Sequence, residues 1–330
     1  MALAFSAALA SAEQACAAGD CLRAIGLVEE ALRRQPSDFR LLYRLGICYG
    51  GACRRHPLVH PEMALSYLRQ ALPLTAEGNV PRAAVLDAVS VTLLTAGSNR
   101  QEALRMAISC ESEAAGIYLK LDRSEEWARA QFNLGNSCSE LSEIAGEDHW
   151  QAAIGHYQQA LQVRTRDRNP ERYAATLENL GAAYRHLPLP QRAGGIRQAI
   201  DCYRRALAIY TRLRYPQKHA SLHNNLGNVF LMLAEGAPAV IERNARRALR
   251  HFDRALRIQS CEPLSRAFGI TQYNRAQACL LLGDPAMAAC CLEAAAAAFD
   301  ACPEERYALL IRRLLERSCR GVEVPTSPAA

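Results

Sequence analysis

The side chains with the clearest capacity for chemistry lie in the segment CYGGACRRHPLVH. Two cysteines and two histidines have the spacing Cys-x4-Cys-x2-His-x3-His, and they are Cys48, Cys53, His56 and His60. Thiolate and imidazole ligands of this kind can hold zinc in a tetrahedral site. However, the first interval is wider than in a usual zinc knuckle, and Cys48 lies in a predicted helix beside Tyr49. The four residues are therefore a candidate metal site, and the alternative is a buried cysteine with two loop histidines.

No other pattern of residues predicts catalysis. The sequence contains no phosphate-binding glycine loop, no HExxH pair and no nucleophile elbow. Cys290 and Cys291 are neighbours in a segment with helical spacing, and adjacent residues of a helix do not face the same side. Their position therefore favours the packing of small residues over redox chemistry. We expect a protein that is not an enzyme and that uses no cofactor.

The composition limits the classes of partner. Half of the 330 residues are hydrophobic, 22% are charged, and the formal net charge is only +6. This small excess does not require a nucleic acid or a membrane as partner. The sequence has no run of about 18 apolar residues, the length that indicates a membrane-spanning helix. The thirteen cysteines show no regular pairing pattern, which is typical of a reducing compartment, so we expect a cytoplasmic protein.

A triplet of Asn, Leu and Gly recurs along the chain. Its leucines, Leu134, Leu180 and Leu226, are separated by intervals of 46 residues. After each triplet come an alanine, an aromatic residue four positions later and a second alanine three positions after that. The three sets are Ala153/Tyr157/Ala160, Ala199/Tyr203/Ala206 and Ala248/Phe252/Ala255. Both signatures have helical spacing, so each repeat predicts a pair of helices, A and B.

These recurring positions resemble the tetratricopeptide repeat, a helix pair of about 34 residues. The longer unit of this chain is similar to the repeats of kinesin-light-chain-like adaptors and of bacterial regulatory arrays. The resemblance implies an all-α fold, a right-handed α-solenoid of about seven helix pairs plus a C-terminal capping helix, in a single domain over 1–320. The predicted repeats are 4–36, 38–75, 81–122, 125–168, 170–214, 216–260 and 264–301, followed by a cap at 303–319 and a flexible tail at 321–330.

Repeats four and five are longer than the family unit at two places. The first extra segment lies between helix A and helix B, where breaker residues predict a longer loop. We expect the second extra segment to lengthen helix B. Pro170 and Pro216 then mark the entry to the next helix, since proline is favoured in the first turn.

The leucine, glycine and aromatic residues of each repeat predict the packing face, which leaves the asparagine on another face of helix A. A buried amide without a partner costs about 1–3 kcal/mol, so we expect the asparagines to face solvent or a ligand. The resemblance implies that this stripe lines a concave groove, in which the asparagines form a ladder that hydrogen-bonds the main chain of an extended peptide. The ladder consists of Asn133, Asn179, Asn225 and Asn274.

Other polar residues share the stripe with the ladder. Asn224 occupies the position of Phe132 and Glu178 in the sister repeats, which makes it a candidate for local specificity. Because the first three repeats lack the asparagine, we expect peptide binding to centre on the C-terminal half. The remaining predicted groove residues are Asn136, Asn228, Gln277, Arg129 and Arg185, and Arg44 takes the ladder position of the second repeat.

The resemblance implies a non-enzymatic scaffold, adaptor or assembly chaperone that binds another protein or a peptide segment in its groove. Arg44, Arg129 and Arg185 would favour an acidic segment. The alternative interpretation is that the asparagines only solvate an exposed helix face. A second functional hypothesis is a sensory regulator whose solenoid changes shape when it binds a peptide or a small ligand. A metal-dependent module, built on the cysteine and histidine segment, is the third.

A row of arginines lies on helix B of the sixth repeat. Such a row could contact phosphates. The resemblance places the outward face of helix B on the solvated convex side, so we do not expect a nucleic acid partner. The row consists of Arg243, Arg247, Arg250, Arg254 and Arg257.

Arg275 occupies the repeat position at which a buried leucine is expected. Two explanations are open from the sequence. Either the last helix pair is loosened, or Arg275 reaches an acidic residue such as Glu293 or Asp300.

Overall fold

A computed structural model describes residues 2–52, 61–96, 99–146, 148–188 and 191–301. The chain divides into two compact units, 1–164 and 165–330. In the first unit the helices are α1 (Ala2–Ala17), α2 (Cys21–Arg34), α3 (Phe39–Ala52), α4 (Pro61–Ala71), a short 3-10 helix (Leu72–Leu74), α5 (Val80–Ala96), α6 (Arg100–Lys120), α7 (Ser124–Ala145) and α8 (Trp150–Val163). In the second unit they are α9 (Pro170–Arg185), α10 (Arg192–Leu207), α11 (Pro216–Met232), α12 (Pro238–Gln259), α13 (Arg266–Leu281) and α14 (Pro285–Asp300).

Consecutive helices pack as pairs throughout the described ranges, from α1 with α2 to α13 with α14. The first helix of each pair is helix A and the second is helix B. Within the first unit α3 contacts both α1 and α5, and within the second unit α11 contacts both α9 and α13. Helices A therefore lie side by side within each unit. No strand occurs in the described ranges, and the predicted all-α array of helix pairs is confirmed.

The glycine of each triplet makes room for an aromatic ring of helix B. A Cβ atom at Gly135 would lie 2.5 Å from Cε1 of Tyr157, and one at Gly227 would lie 2.3 Å from Cε1 of Phe252. Both rings are at most 1% exposed. Any larger residue would displace a buried ring, which explains why the helix tolerates a glycine that costs about 1 kcal/mol relative to alanine.

Helices A of the fifth and sixth repeats begin where the sequence predicts. Pro170 and Pro216 are the first residues of α9 and α11. Proline is suited to this position because its missing N–H would have no partner in the first turn. The side chain of Asn169 caps α9 by accepting a hydrogen bond from the backbone amide of Arg172 at 3.1 Å.

The expectation that the second extra segment lengthens helix B is wrong. Helix α8 ends at Val163 and α10 at Leu207, and turns lead from there to the next helix. Thr165 and Thr211 lie in these turns. Each hydroxyl accepts a hydrogen bond from the backbone amide three residues later, at 3.3 and 3.4 Å. Such local bonds compete with helix continuation, and the proline that follows each turn disfavours helical geometry before it.

The predicted cap at 303–319 and the tail at 321–330 lie outside the described residues. A single domain over 1–320 stays a prediction.

Candidate functional site

In the first unit, the predicted groove asparagines make hydrogen bonds within the protein. The side-chain amide of Asn133 on α7 donates to Oε1 of Glu111 on α6 at 2.6 Å. The hydroxyl of Tyr157 on α8 donates to Oδ1 of Asn136 at 2.9 Å. A peptide that bound to either amide would have to share or replace these partners.

In the second unit, half-buried amides remain open. Asn225 and Asn228 on α11 and Gln277 on α13 have no hydrogen-bond partner among the described residues. Next to them, Nδ2 of Asn274 donates to Oδ1 of Asn224 at 3.0 Å, which ties α13 to α11. The predicted amides of α11 and α13 thus lie on neighbouring helices. Some of them are hydrogen-bonded to each other, and the others are open, with no hydrogen-bond partner among the described residues.

Asn179 on α9 is half-buried and interacts within the protein. Its neighbour Glu178 accepts hydrogen bonds from Ser221 Oγ at 2.9 Å and from Lys218 Nζ at 3.1 Å, both on α11. Glu178 and Asn224 hold the same position in their repeats, and both link one helix A to the next. Sequence reasoning missed this linking role because the partners lie in the following repeat.

The arginines of the predicted stripe have partners of their own. Arg129 pairs with Asp87, and Arg44 pairs with Glu13. The guanidinium of Arg185 lies 3.1 Å from Nε2 of its neighbour His186. The charge of the two arginines in the first unit is therefore matched by acidic residues of the same unit.

Part of the candidate metal site lies outside the described residues, namely Cys53, His56 and His60. Cys48 is 1% exposed, and its Sγ lies 3.1 Å from Sγ of Cys16. Among the described residues, no group of three or more His, Cys, Asp or Glu side chains is placed to hold a metal ion. The described part of the site thus shows a buried cysteine next to another cysteine.

Arg275 forms an ion pair, but with neither acidic residue suggested by the sequence. Its Nε donates to Oδ1 of Asp253 on α12 at 3.0 Å. Glu293 and Asp300 lie on α14, the helix that follows α13. The partner comes instead from the preceding repeat, so Arg275 links two helix pairs.

The adjacent cysteines on α14 face opposite sides, because Cys290 is exposed and Cys291 is only 2% exposed. Nη1 of Arg275 lies 2.9 Å from Sγ of Cys291. A hydrogen bond from Cys279 and the nearby Arg275 charge lower the pKa of Cys291 to about 6, against the effect of its burial.

The second unit contains a basic surface cavity that the sequence did not predict. Its volume is about 590 Å³, and its lining comes from α10, α11, α12 and the residue that follows α11. Five arginines and one histidine contribute, and no acidic residue of the described ranges does. We call this cavity the arginine cleft, and its lining residues are Arg197, Ile200, Arg204, Phe230, Leu233, Arg247, Arg250, His251 and Arg254.

Part of the cleft was visible in the sequence as the arginine row of helix B. Arg247, Arg250 and Arg254 belong to that row, for which the resemblance predicts a solvated convex face rather than a cavity. The signal that could have revealed the cleft is a second pair of arginines, Arg197 and Arg204 on α10. They are seven residues apart and therefore lie on one face of that helix. Only the packing of the helices brings the two sets to one cavity.

Two aromatic rings, those of Phe230 and His251, belong to the lining of the arginine cleft. The rings of Phe230 and His251 are stacked, with centroids 5.4 Å apart. Nδ1 of His251 lies 2.9 Å from Nδ1 of His223, and the guanidinium of Arg247 lies 5.7 Å from the Phe230 ring centroid. Burial, followed by the charges of Arg254 and neighbouring arginines, lowers the pKa of His251 to about 4. His251 is therefore neutral at pH 7.

No helix in the described ranges is both long and apolar enough to cross a membrane.

Comparison with known proteins finds no matching family profile and no matching curated sequence. Solved structures do match. The apo form of RapI is 14% identical, with a TM-score of 0.59 over 91% of this chain and 81% of that one. The C-terminal part of a TPR repeat-containing protein from Cytophaga hutchinsonii is 10% identical, with a TM-score of 0.56 over 96% of this chain and all of that one. PilF of Pseudomonas aeruginosa is 15% identical, with a TM-score of 0.53 over 80% of this chain and 95% of that one. At these identities the likeness concerns the fold.

Proposed function

We propose that this chain, a tetratricopeptide-type repeat protein by its fold, is a non-enzymatic scaffold, adaptor or assembly chaperone. It binds an extended segment of another protein along helices A of the second unit. The fold supports this proposal only in general terms, because one fold hosts many functions. The support for peptide binding in particular comes from the side chains of the candidate site.

The open amides of α11 carry the proposal. Asn225 and Asn228 are half-buried and have no partner among the described residues. A partly buried amide gains from a hydrogen-bond partner, and an asparagine both donates and accepts. The main chain of an extended peptide offers an N–H and a C=O in alternation, so it can satisfy both functions of the side chain without regard to sequence.

The bonded amides suggest how the segment is positioned. The Asn224–Asn274 bond holds α11 against α13, so the open amide of Gln277 on α13 lies on a helix fixed to α11. In the proposal, Asn225 and Asn228 bind the main chain, and Gln277 extends the contact to α13. An acidic residue of the segment would bind Arg185 at the end of α9. The protein acts in the cytoplasm.

A peptide selection tests the proposal. Random peptides displayed on phage are selected on the immobilised full chain, and the affinity of a selected peptide is measured by isothermal titration calorimetry. We expect the Asn225→Ala/Asn228→Ala double variant to lose roughly 10-fold to 100-fold in affinity, since each lost hydrogen bond costs about 1 kcal/mol or more. Gln217→Ala is the control, because Gln217 is an exposed amide in the first turn of the same helix.

Two results would count against the proposal. Either the selection yields no peptide, or the double variant binds the selected peptide as tightly as the unchanged protein. Solution scattering of the peptide complex adds a further distinction. A change in radius of gyration on binding would favour the sensory regulator over the static scaffold.

A further inference from the structure

Neighbouring arginines on α10 and α12 have opposite surroundings. Arg205 and Arg246 each pair with a carboxylate four residues earlier on the same helix, at 3.3 and 2.5 Å. Arg204 and Arg247, one position away, line the arginine cleft instead. Among the described residues, none of the five cleft arginines forms an ion pair with a carboxylate. On α10 and α12, the arginines outside the cleft described above are thus paired with carboxylates, and those that line the cleft are not.

The unpaired charges crowd one another. Arg250 lies three residues after Arg247 and four before Arg254, a spacing that places their side chains next to one another on α12. Like charges at this spacing destabilise a helix. Arg197 and Arg204 add two further charges from α10 to the same cavity. An anion in the cleft would turn this repulsion into attraction.

The guanidinium groups also define the chemistry of the anion. A guanidinium presents its N–H donors in a planar fork that fits two oxygens of a phosphate or a carboxylate at once. Five guanidinium groups around one cavity carry more positive charge than a single carboxylate or phosphate can neutralise. The volume of about 590 Å³ lies within the usual range for small-molecule sites. Both observations point to a small ligand with several anionic groups.

We propose that the arginine cleft binds a small polyanion with two or more linked phosphate groups. The phosphates contact the arginines of α10 and α12. The chemistry is shared by inorganic oligophosphates and by nucleoside polyphosphates. The lining also contains the apolar residues Ile200, Phe230 and Leu233, which an organic group of the ligand could contact, so the two sources can be told apart by experiment.

The form of the cleft favours a small ligand over a nucleic acid. The two sets of arginines come from different helices and converge on one cavity, whereas a nucleic acid backbone needs positive charge along an extended track. Arg243 and Arg257 continue the row on α12 but do not line the cleft.

The histidine in the cleft reports on binding. His251 is kept neutral by burial and by the charges of Arg254, Arg250 and Arg204. Its other neighbours are His223 at 2.9 Å and the stacked Phe230 ring. A bound polyphosphate would neutralise the arginines, so protonation of His251 becomes easier and its pKa rises. Binding should therefore be accompanied by proton uptake at acidic pH.

Isothermal titration calorimetry of the full chain at low ionic strength tests the proposal. The probes are inorganic tripolyphosphate, a nucleoside triphosphate and a short DNA duplex. We expect tripolyphosphate to bind at one site and the Arg204→Ala/Arg250→Ala double variant to lose roughly 100-fold in affinity, because the variant lacks two charged groups that donate hydrogen bonds to phosphate. Arg246→Ala is the matched control on α12, and it should bind as the unchanged protein does. Circular dichroism confirms that each variant is folded.

Further measurements assign the source of the ligand and separate this site from the peptide site. Tighter binding of the nucleoside triphosphate than of tripolyphosphate would assign a nucleotide, and equal affinity would assign the phosphates alone. An NMR titration should show the pKa of His251 rising when tripolyphosphate is bound. The Asn225→Ala/Asn228→Ala variant should keep full tripolyphosphate affinity, so that failure of the peptide proposal would leave this one intact.

Three results would overturn the proposal. The first is the absence of tripolyphosphate binding by the folded, unchanged protein. The second is an equal loss of affinity in Arg246→Ala and in the double variant, which would indicate unspecific attraction to a basic surface. The third is a preference for the DNA duplex that depends on Arg243 and Arg257, which would assign an extended nucleic acid site instead.

Discussion

The first unit buries two neighbouring acidic side chains, Asp87 and Glu111, between its helices, whereas the second unit collects unpaired arginines at its surface. Asp87 on α5 and Glu111 on α6 are 7% and 1% exposed. Asp87 accepts a hydrogen bond from the Tyr118 hydroxyl at 2.8 Å and pairs with Arg129, and Glu111 accepts one from Asn133 at 2.6 Å. Among the described residues, the arginines of the cleft in the second unit have no such partners.

The two units thus differ in the use of their polar side chains: those of the first unit hold helices together, and those of the cleft are available to a ligand. Removing one partner of a buried polar group is costly, so the hydrogen bonds of Asp87 and Glu111 fix the packing of α5, α6 and α7. An exposed arginine is well solvated, and its pairing contributes little to stability. The arginines of the cleft can therefore remain without acidic partners, and their N–H donors stay available to a ligand. Both units nevertheless share one packing feature between helix A and helix B. In this seam a glycine of helix A, Gly135 or Gly227, makes room for an aromatic ring of helix B, Tyr157 or Phe252.

The largest effect that we expect from this contrast is a loss of stability of the first unit with rising pH. Burial, followed by the charge of Asp87, raises the pKa of Glu111 from its ordinary 4.5 to about 8. Between these two values the folded state keeps a proton that the unfolded chain releases, so the free energy of unfolding falls as the pH rises. The expected fall is on the order of 2–4 kcal/mol. Urea unfolding followed by tryptophan fluorescence measures it, because Trp127 and Trp150 both lie in the first unit.

Two variants on α6 sharpen this test. Glu111→Gln should remove most of the slope between about pH 5 and pH 8, since an amide does not titrate there. Glu113→Gln is the control, because Glu113 is exposed and pairs with Arg82 at the surface. A free energy of unfolding that stays constant from pH 5 to pH 8 in the unchanged protein would contradict the role of Glu111.

The seam was predictable from the sequence, but the charge clusters were not. Gly135 and Tyr157 belong to signatures with fixed spacing inside one repeat, so local pattern is sufficient to pair them. Asn133 and Glu111 come from different helix pairs, and their contact depends on how one repeat packs on the next. The same holds for Arg275, whose partner Asp253 lies in the preceding repeat. The sequence thus predicts side-chain contacts within a repeat better than contacts between successive repeats.

Substitutions in the shared seam should cause a loss of stability of intermediate size, and the loss should be similar in both units. Gly135→Ala and Gly227→Ala each place a methyl group against a buried ring, at 2.5 Å from Tyr157 and 2.3 Å from Phe252. Overpacking of this kind costs about 1–3 kcal/mol. Chemical unfolding with hydrogen exchange read out by mass spectrometry assigns the loss to one unit or the other.

Two helical glycines without close neighbours serve as controls for the seam. An added Cβ at Gly155 on α8 or at Gly194 on α10 meets no atom of the described residues within 4 Å beyond the adjacent residues and the local backbone of its own helix. Alanine at these positions should stabilise the helix by up to about 1 kcal/mol. A clear loss at Gly135 with none at Gly227 would show that the two units do not share one seam.

The smallest expected effects are changes in stability that arise from the repulsion between arginines in the cleft. Substitution of two nearby arginines, one in the cleft and one outside it, should change the stability in opposite directions. Arg250→Gln removes one of several crowded like charges, so it should stabilise the second unit by about 0.2–0.5 kcal/mol. Arg246→Gln breaks an exposed pair with Glu242, so it should destabilise the same helix by a similar amount. Thermal unfolding of the free protein by circular dichroism at low salt measures both changes. Both should shrink at about 0.5 M salt, where charges are screened within a few ångströms. A loss of stability in Arg250→Gln at low salt would mean that Arg250 has a favourable partner and that the cleft charges are not in excess.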